Sequence, residues 1–313
     1  MDIFVHHDGA LGDVLLSLPA ISSIRNPGDR LHFAGNADIG LFLKQTLAVD
    51  EVSSSSSALY APLYAGRASN DTRSFLEGFT RAFIFSVHTE SPLVHAIRSV
   101  ISDTIAINTI PQDGSIIPAA EFRLKQVGGA AEDHRPLIEI PQPYLELAYG
   151  ILSRSGYDGY RRVAVIHPGS GGRAKQWQLD AFFDLAERLT IYDKIFVIML
   201  TGPAEDDAFK DRVEDFTRKK MDTLHLSTLE LIAAAAIIGV CGLYIGNDSG
   251  MTHLAAAIGR PVLALFGPTD PAVWGPTGPS RIEIIHAPEL SALAADTVYV
   301  KAHEMLAELS SGG

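Results

Sequence analysis

The sequence predicts an α/β fold of two domains, each a parallel sheet with helices on both faces, the two sheets facing each other across a cleft. Three observations predict it. The 313 residues suffice for two domains of ordinary size. Short apolar runs alternate with stretches of helical spacing. Four apolar runs of the second half end in loops rich in glycine and polar residues that lead toward helices or turns. Because ligands bind such sheets outside the carboxyl ends of the strands, those loops are where function is sought.

Ile3 to His7 leads as an apolar strand, DGALGD follows as a glycine loop, and VLLSLPAISSIR has helical spacing. LHFAG at 31–35, a helix-like segment around Ile39 to Thr46, and AVDEV continue the alternation. SSSSS at 53–57 reads as a loop or a polar edge strand without chemistry. Phe83 to Val87 is a further strand, and residues 110–136, rich in Gly, Pro and mixed charge, are expected to be irregular. Two prolines in IEIPQPY (138–144) mark a linker. The domains are therefore set at 1–143 and 144–313, with the last helix free to pack back on the first.

In the second half, Val163 to Ile166 ends in HPGSGGRAKQW, and Leu179 to Leu189 has helical spacing. Ile195 to Leu200 ends in TGPAED, and a helix is expected from Leu226 beside a Ser-Thr cap candidate. Gly242 to Ile245 ends in GNDSG, and Pro261 to Phe266 ends in GPTDP. No short period recurs, which excludes a solenoid.

Composition narrows the function. With 37 acids against 25 Lys and Arg, the formal net charge is −12, a surface that repels a phosphate backbone and argues against nucleic-acid binding. One cysteine, Cys241, forms no internal disulfide and fits a reducing compartment. MDIFVHHDGALGD has no basic region followed by an apolar core, so no secretory signal is read. A cytoplasmic protein is expected.

Several loops could carry chemistry. Ser249 stands at a helix start, where the N–H groups of Gly250, Met251 and Thr252 would point at an anion; a plain helix cap by Asp248 or Ser249 is the competing reading. In HPGSGGRAKQW, Gly169 to Gly172 can wrap phosphate oxygens with Arg173 and Lys175 nearby, or form a glycine-rich turn with solvated basic residues. Glu205 follows a strand where an acid can accept from a ribose diol, or it is a helix-start acid. Asp13 could deprotonate a hydroxyl or serve as an N-cap, and Trp177 is read as a packing anchor. No two aspartates stand two apart, so the D-x-D pair that holds a metal on a sugar nucleotide is absent. Charge neutralisation is then expected from Arg173, Lys175 and a helix start, without metal or cofactor. The eleven histidines contain no H-E-x-x-H, and G-x-S-x-G is missing, against an α/β-hydrolase.

GALGDVLLSLPA, IHPGSGGRAKQW, LTGPAED and GNDSGMTHLAAAIGRPVLALFGPTDPAVWGP, in that order, resemble the signature segments of glycosyltransferase family nine, the ADP-heptose:lipopolysaccharide heptosyltransferases. The resemblance implies a GT-B architecture of two Rossmann-like domains, acceptor on the first and nucleotide sugar on the second. It implies an inverting, metal-independent transfer of a sugar, heptose from ADP-heptose, to a hydroxyl of a lipopolysaccharide-core or related glycan acceptor, a glycan or glycolipid. By position, Asp13 corresponds to the base, and Ser170 and Lys175, with the adjoining Gly171 and Arg173, to the diphosphate loop. Glu205 corresponds to the ribose acid, and Asp248, Ser249, Gly250, Thr252 and His253 to the diphosphate and sugar site. A monomer, in peripheral contact with the cytoplasmic face of the inner membrane, is the family expectation. His6, His7 and Asp8 stand where the family usually carries an arginine. Two other readings are an epimerase or hydrolase on the same frame, and a nucleotide-sugar binder without catalysis.

Overall fold

The computed structural model describes residues 1–112, 114–130 and 134–311. The chain divides into two compact units, Met1–Pro136 and Leu137–Gly313. In the first, β1 (Asp2–His7), α1 (Leu11–Ser23), β2 (Arg30–Gly35), α2 (Ala37–Gln45) and β3 (Glu51–Ser54) are followed by α3 (Ala61–Tyr64) and α4 (Asn70–Leu76). Then come β4 (Arg81–Ser86), α5 (Pro92–Arg98), β5 (Thr104–Asn108) and α6 (Ala119–Gln126). The strands pair in parallel in the order β3-β2-β1-β4-β5. The chain therefore reverses its winding beside β1, whose last residue His7 lies between Gly35 and Phe85. Such a switch opens a crevice at the carboxyl ends of the strands.

The second unit runs α7 (Gln142–Arg154), β6 (Val163–His167), α8 (Leu179–Ile191), β7 (Phe196–Thr201), α9 (Asp207–Arg218) and β8 (Thr223–Ser227). It continues with α10 (Leu231–Gly239), β9 (Leu243–Asn247), α11 (Gly250–Ala257), β10 (Val262–Phe266), α12 (Pro271–Trp274), β11 (Ile282–His286) and α13 (Ala295–Ser311). Its order β11-β10-β9-β6-β7-β8 places the same reversal between β6 and β9. Strands β6, β7, β9 and β10 are buried at every position, as parallel strands covered on both faces must be. No described helix is long and apolar enough to cross a membrane.

Two expectations meet a different local structure. The stretch 110–136 contains α6, which packs on α1; its pattern AAEFRLKQ buries Ala119, Ala120, Arg123 and Leu124, and the buried arginine hides the helical period. Leu226 lies in β8, not in a helix. Its neighbours TLHLS pair with β7 from Val197↔Thr223 to Thr201↔Ser227, and the helix begins only at Leu231. In the second unit, Ile138 is buried and its N–H bonds Ala257 O at 2.9 Å, tying the proline segment to that unit. The last helix, α13, packs on α8 of that unit through a core that includes Val298, Ala302, Met305 and Leu306.

Met305→Ala removes a side chain that is 1% exposed, and should cost about 2–5 kcal/mol. A fall in the urea midpoint of the second unit's transition checks this; an unchanged midpoint would mean that α13 does not belong to that core.

Candidate active-site loops

In the second unit the site is assembled from the loops after β6, β7 and β9. Asn247, the last residue of β9, is fully buried. Its Nδ2 donates to Pro168 O at 2.8 Å and its Oδ1 accepts from Trp177 N at 3.0 Å, so one carboxamide pins both ends of the glycine loop. Trp177 meets Phe182 edge-on at 4.8 Å and donates from Nε1 to Leu293 O at 2.9 Å; it is an anchor, as expected. Ser170 Oγ donates to Asp248 O at 2.8 Å, leaving that hydroxyl only acceptor capacity toward a ligand. Lys175 Nζ stands 2.7 Å from Asp248 Oδ2, at ion-pair distance but not aligned as a hydrogen bond. The lysine remains 38% exposed. Arg173 shares the same short 3₁₀ turn and is exposed, as is Gly171.

Glu205 is buried, and its Oε2 accepts from Gly202 N at 2.7 Å. Its Oε1 occupies the space where a side chain on residue 169 would begin: a Cβ on Gly169 would lie 1.9 Å from it. The glycine is therefore required by the acid that lies over it. Beside them, burial pulls the His167 imidazole down to about 4, so the ring is neutral near pH 7.

At α11, Ser249 occupies the N-cap position with extended backbone, yet no side chain caps the helix. The plain-cap reading thus loses its hydrogen bond. The N–H groups of Thr252 and His253 reach Ser249 O at 3.1 and 3.3 Å, so Thr252 does not offer its amide outward as expected. Its buried hydroxyl donates to Asn247 O. Among the described residues nothing accepts from the N–H of Gly250 or Met251, and these two remain at the positive end of the helix. His253 is buried in the same helix.

In the first unit, Asp13 is neither loop nor cap: it lies in the first turn of α1, whose N-cap is Ala10. A Cβ on Gly9 would approach His7 Cε1 to 2.5 Å and Asp13 Cβ to 2.8 Å, so glycine lets the loop fold tightly between them. Gly9 N donates to His7 Nδ1 at 3.0 Å, which places the ring proton on Nε2, donated to Ser17 Oγ at 3.0 Å. Burial first, then the Arg123 and His6 charges, push His7 down to about 3. Burial also pushes His6 below the usual histidine value, against the opposing pull of Asp8. Asp8 accepts from the Tyr64 hydroxyl and lies 3.4 Å from His6 Nε2.

The residue that sequence reading missed is Arg123. Fully buried on α6, it donates to Asp13 Oδ1 at 3.1 Å, while Asp13 is 44% exposed. Its signal was available as a lone arginine among apolar positions in AAEFRLKQ, but no local pattern links residue 123 to residue 13. Burial lowers its affinity for its proton and the Asp13 charge opposes that. Among the described residues no three His, Cys, Asp or Glu side chains gather into a set that could hold a metal ion.

The profile of glycosyltransferase family 9 (heptosyltransferase) matches residues 129–300, a stretch holding all the second unit's loops but neither Asp13 nor Arg123. Over 122 residues the chain is 30% identical to lipooligosaccharide heptosyltransferase 2 of Haemophilus influenzae, a match covering 38% of this chain and only 35% of that protein. Against lipooligosaccharide heptosyltransferase 2 of Campylobacter jejuni it is 23% identical over 291 residues, 91% of this chain and 87% of that one. The structure described as E. coli ADP-heptose lps heptosyltransferase II superposes with a TM-score of 0.79 at 18% identity, covering 98% of this chain and 99% of that one. At that identity the likeness establishes a shared fold.

Two measurements follow from the geometry. Asn247→Ala leaves Pro168 O and Trp177 N buried without partners, and should cost about 2–6 kcal/mol at about 1–3 kcal/mol for each orphaned group; chemical denaturation checks it. His167 and His7 have folded pKa values below their unfolded value, so their stabilising contribution is complete above about pH 6.5 and is lost as pH falls toward about 4 and about 3 respectively. When fully lost, the His167 contribution is worth roughly 3 kcal/mol and that of His7 roughly 5 kcal/mol. Urea midpoints should therefore drop between about pH 6.5 and pH 4, and drop less in His167→Phe; equal acid sensitivity would contradict the neutral buried ring.

Proposed function

The chain belongs to glycosyltransferase family 9, the heptosyltransferase family, and from that premise we propose that it transfers a sugar, heptose from ADP-heptose, to a hydroxyl of a lipopolysaccharide-core or related glycolipid acceptor. The observation that carries the reading is the anion-ready group at the second unit's switch point. Lys175 stands beside the start of α11, where two N–H groups have no acceptor in the described chain. A diphosphate supplies the oxygens such a group lacks.

Charge assigns the residues their parts in this reading. A carboxylate repels a diphosphate, so Asp248 orients Lys175 and takes hydroxyls of the sugar, while Lys175, Arg173 and the amides of Gly250 and Met251 take the phosphates. Ser249, intermediate in exposure beside that helix start, adds a hydroxyl donor. Glu205, held by Gly202 N–H, accepts from the ribose diol. Ser170 and Thr252 brace the loops of this donor site, Ser170 by its bond to Asp248 O and Thr252 by its bond to Asn247 O, and His253, buried in α11, belongs to the same donor site.

The reaction is a single displacement with inversion. Asp13 takes the proton of the acceptor hydroxyl as its oxygen forms a bond to the anomeric carbon, and the bond from that carbon to the diphosphate oxygen breaks. The charge that develops on the departing ADP falls to Lys175 and the α11 amides, without a metal. Such preorganised donors act without reorganising at the moment of reaction.

A thermal-shift panel of ADP, UDP and GDP, alone and as sugars, tests the donor. Ligands that bind only the folded chain raise its melting temperature, by about 2.7 kcal/mol of stability at a hundredfold excess over Kd. ADP compounds should do so; a response to UDP or GDP alone would overturn the nucleotide assignment. Lys175→Ala should lower kcat about a hundredfold or more. Asp13→Asn should lower it about 10²–10⁴-fold while ADP binding is kept; retained turnover in Asp13→Asn would remove it as the base.

A further inference from the structure

We propose that Arg123 is a positioning residue for the transfer reaction: its guanidinium grips Asp13 at two points and fixes the carboxylate at the carboxyl end of β1. The inference rests on the reading of Asp13 as the base. Four observations carry it.

All five N–H groups of Arg123 are used within the chain. Nε and Nη2 donate to Thr109 O at 3.0 and 2.7 Å, Nη1 to Asp13 O and to Ser17 Oγ at 3.0 Å, and Nη2 to Asp13 Oδ1 at 3.1 Å. A guanidinium has five donors and no more, so it holds none for a ligand and its work is internal.

Asp13 is the residue it grips by both backbone and side chain. One planar fork fixes the carbonyl of Asp13 through Nη1 and its carboxylate through Nη2, which sets the side-chain torsion as well as the place of the helix turn. Only a rigid fork can do this; an ammonium on a flexible stem cannot.

The grip is itself braced. Ser17 Oγ accepts from both Arg123 Nη1 and His7 Nε2 and donates to Asp13 O at 3.0 Å, so all its hydrogen-bonding capacity serves the same turn. Thr109 O anchors the guanidinium to the segment directly after β5. The ends of β1 and β5, the first turn of α1, and α6 thus meet in one connected set.

Finally, a buried arginine paired to a half-exposed carboxylate is poor value as a source of stability, because desolvation offsets the attraction. What the arrangement does supply is geometry. Asp8, the other carboxylate of this loop, is engaged by Tyr64 and His6 and receives nothing from Arg123.

Steady-state kinetics on the full chain with ADP-heptose and a lipopolysaccharide-core acceptor test the proposal in Arg123→Lys. The expected result is a kcat lowered about a hundredfold, the order that misplacement of a reacting group costs, with the donor KM within about twofold, since uniform donor binding is untouched. In an Asp13→Asn background the same substitution should cost less than about threefold more, because groups acting as a unit are not additive. An equal loss in both backgrounds, or a donor KM that rises with the fall in kcat, would overturn the proposal in favour of a general structural role.

Hydrogen exchange separates this from the reading it rests on. In Arg123→Lys the amides of residues 9–17 should exchange about tenfold faster than in the wild type, with residues 163–267 unchanged. Unaltered exchange at 9–17 overturns the grip whatever the activity; a wild-type chain that transfers no sugar fails the functional reading while exchange still decides the role of Arg123. If Arg123→Lys does not fold, Ser17→Ala, which removes one shared acceptor, should shift both readouts in the same direction by a smaller factor.

Discussion

The second unit's site depends on the carboxamide of Asn247. Fixing each residue of a glycine-rich loop costs about 1–2 kcal/mol of conformational entropy, and Gly169 to Gly172, in the loop between β6 and α8, have no apolar side chain to offset it. Asn247 closes that loop from the neighbouring strand, holding Pro168 O with its amide and Trp177 N with its oxygen. It can do so because β6 and β9 pair directly, Ala164 opposite Leu243 and His167 opposite Gly246. Strand order at the switch point is thus converted into the position of a lysine.

From that closure the other placements follow. With the loop pinned, Ser170 reaches Asp248 O and Lys175 reaches the Asp248 carboxylate, while Gly169 leaves room for Glu205. The first unit solves a similar problem with different chemistry. There the tight turn after β1 is shaped by Gly9 and secured by a buried guanidinium from a distant helix. In both units a residue from elsewhere in the sequence fixes the loop beside the switch point, because a short loop cannot fix itself.

How much of this was legible in the sequence depended on range. Strands β6, β7, β9 and β10 are continuous apolar runs, and each ends in polar residues that cannot continue a buried strand, so both the elements and the loops were readable. β8 was not, because TLHLS is half-buried throughout and beside Ser227 and Thr228 it reads as a helix start. Asp13, Lys175, Glu205 and Asp248 were singled out by position after strands and by family likeness. Arg123 was not, since its five bonds reach residues 13, 17 and 109, and pairing over such separations leaves no local spacing. The absent cap at Ser249 was equally unreadable: serine before glycine is the ordinary signature of a cap, and only the backbone shows that its hydroxyl does not cap.

The claim that tests the account most directly is that nucleotide diphosphate is held at the second unit's switch point. Hydrogen exchange of the full chain with and without ADP reads this without any assumption about sugar or acceptor. The account predicts slower exchange in ADP at residues 169–176, 202–206 and 249–252, with strands β7 and β10 unaffected. Protection confined to other segments, with those loops exchanging at the same rate in both samples, would contradict it.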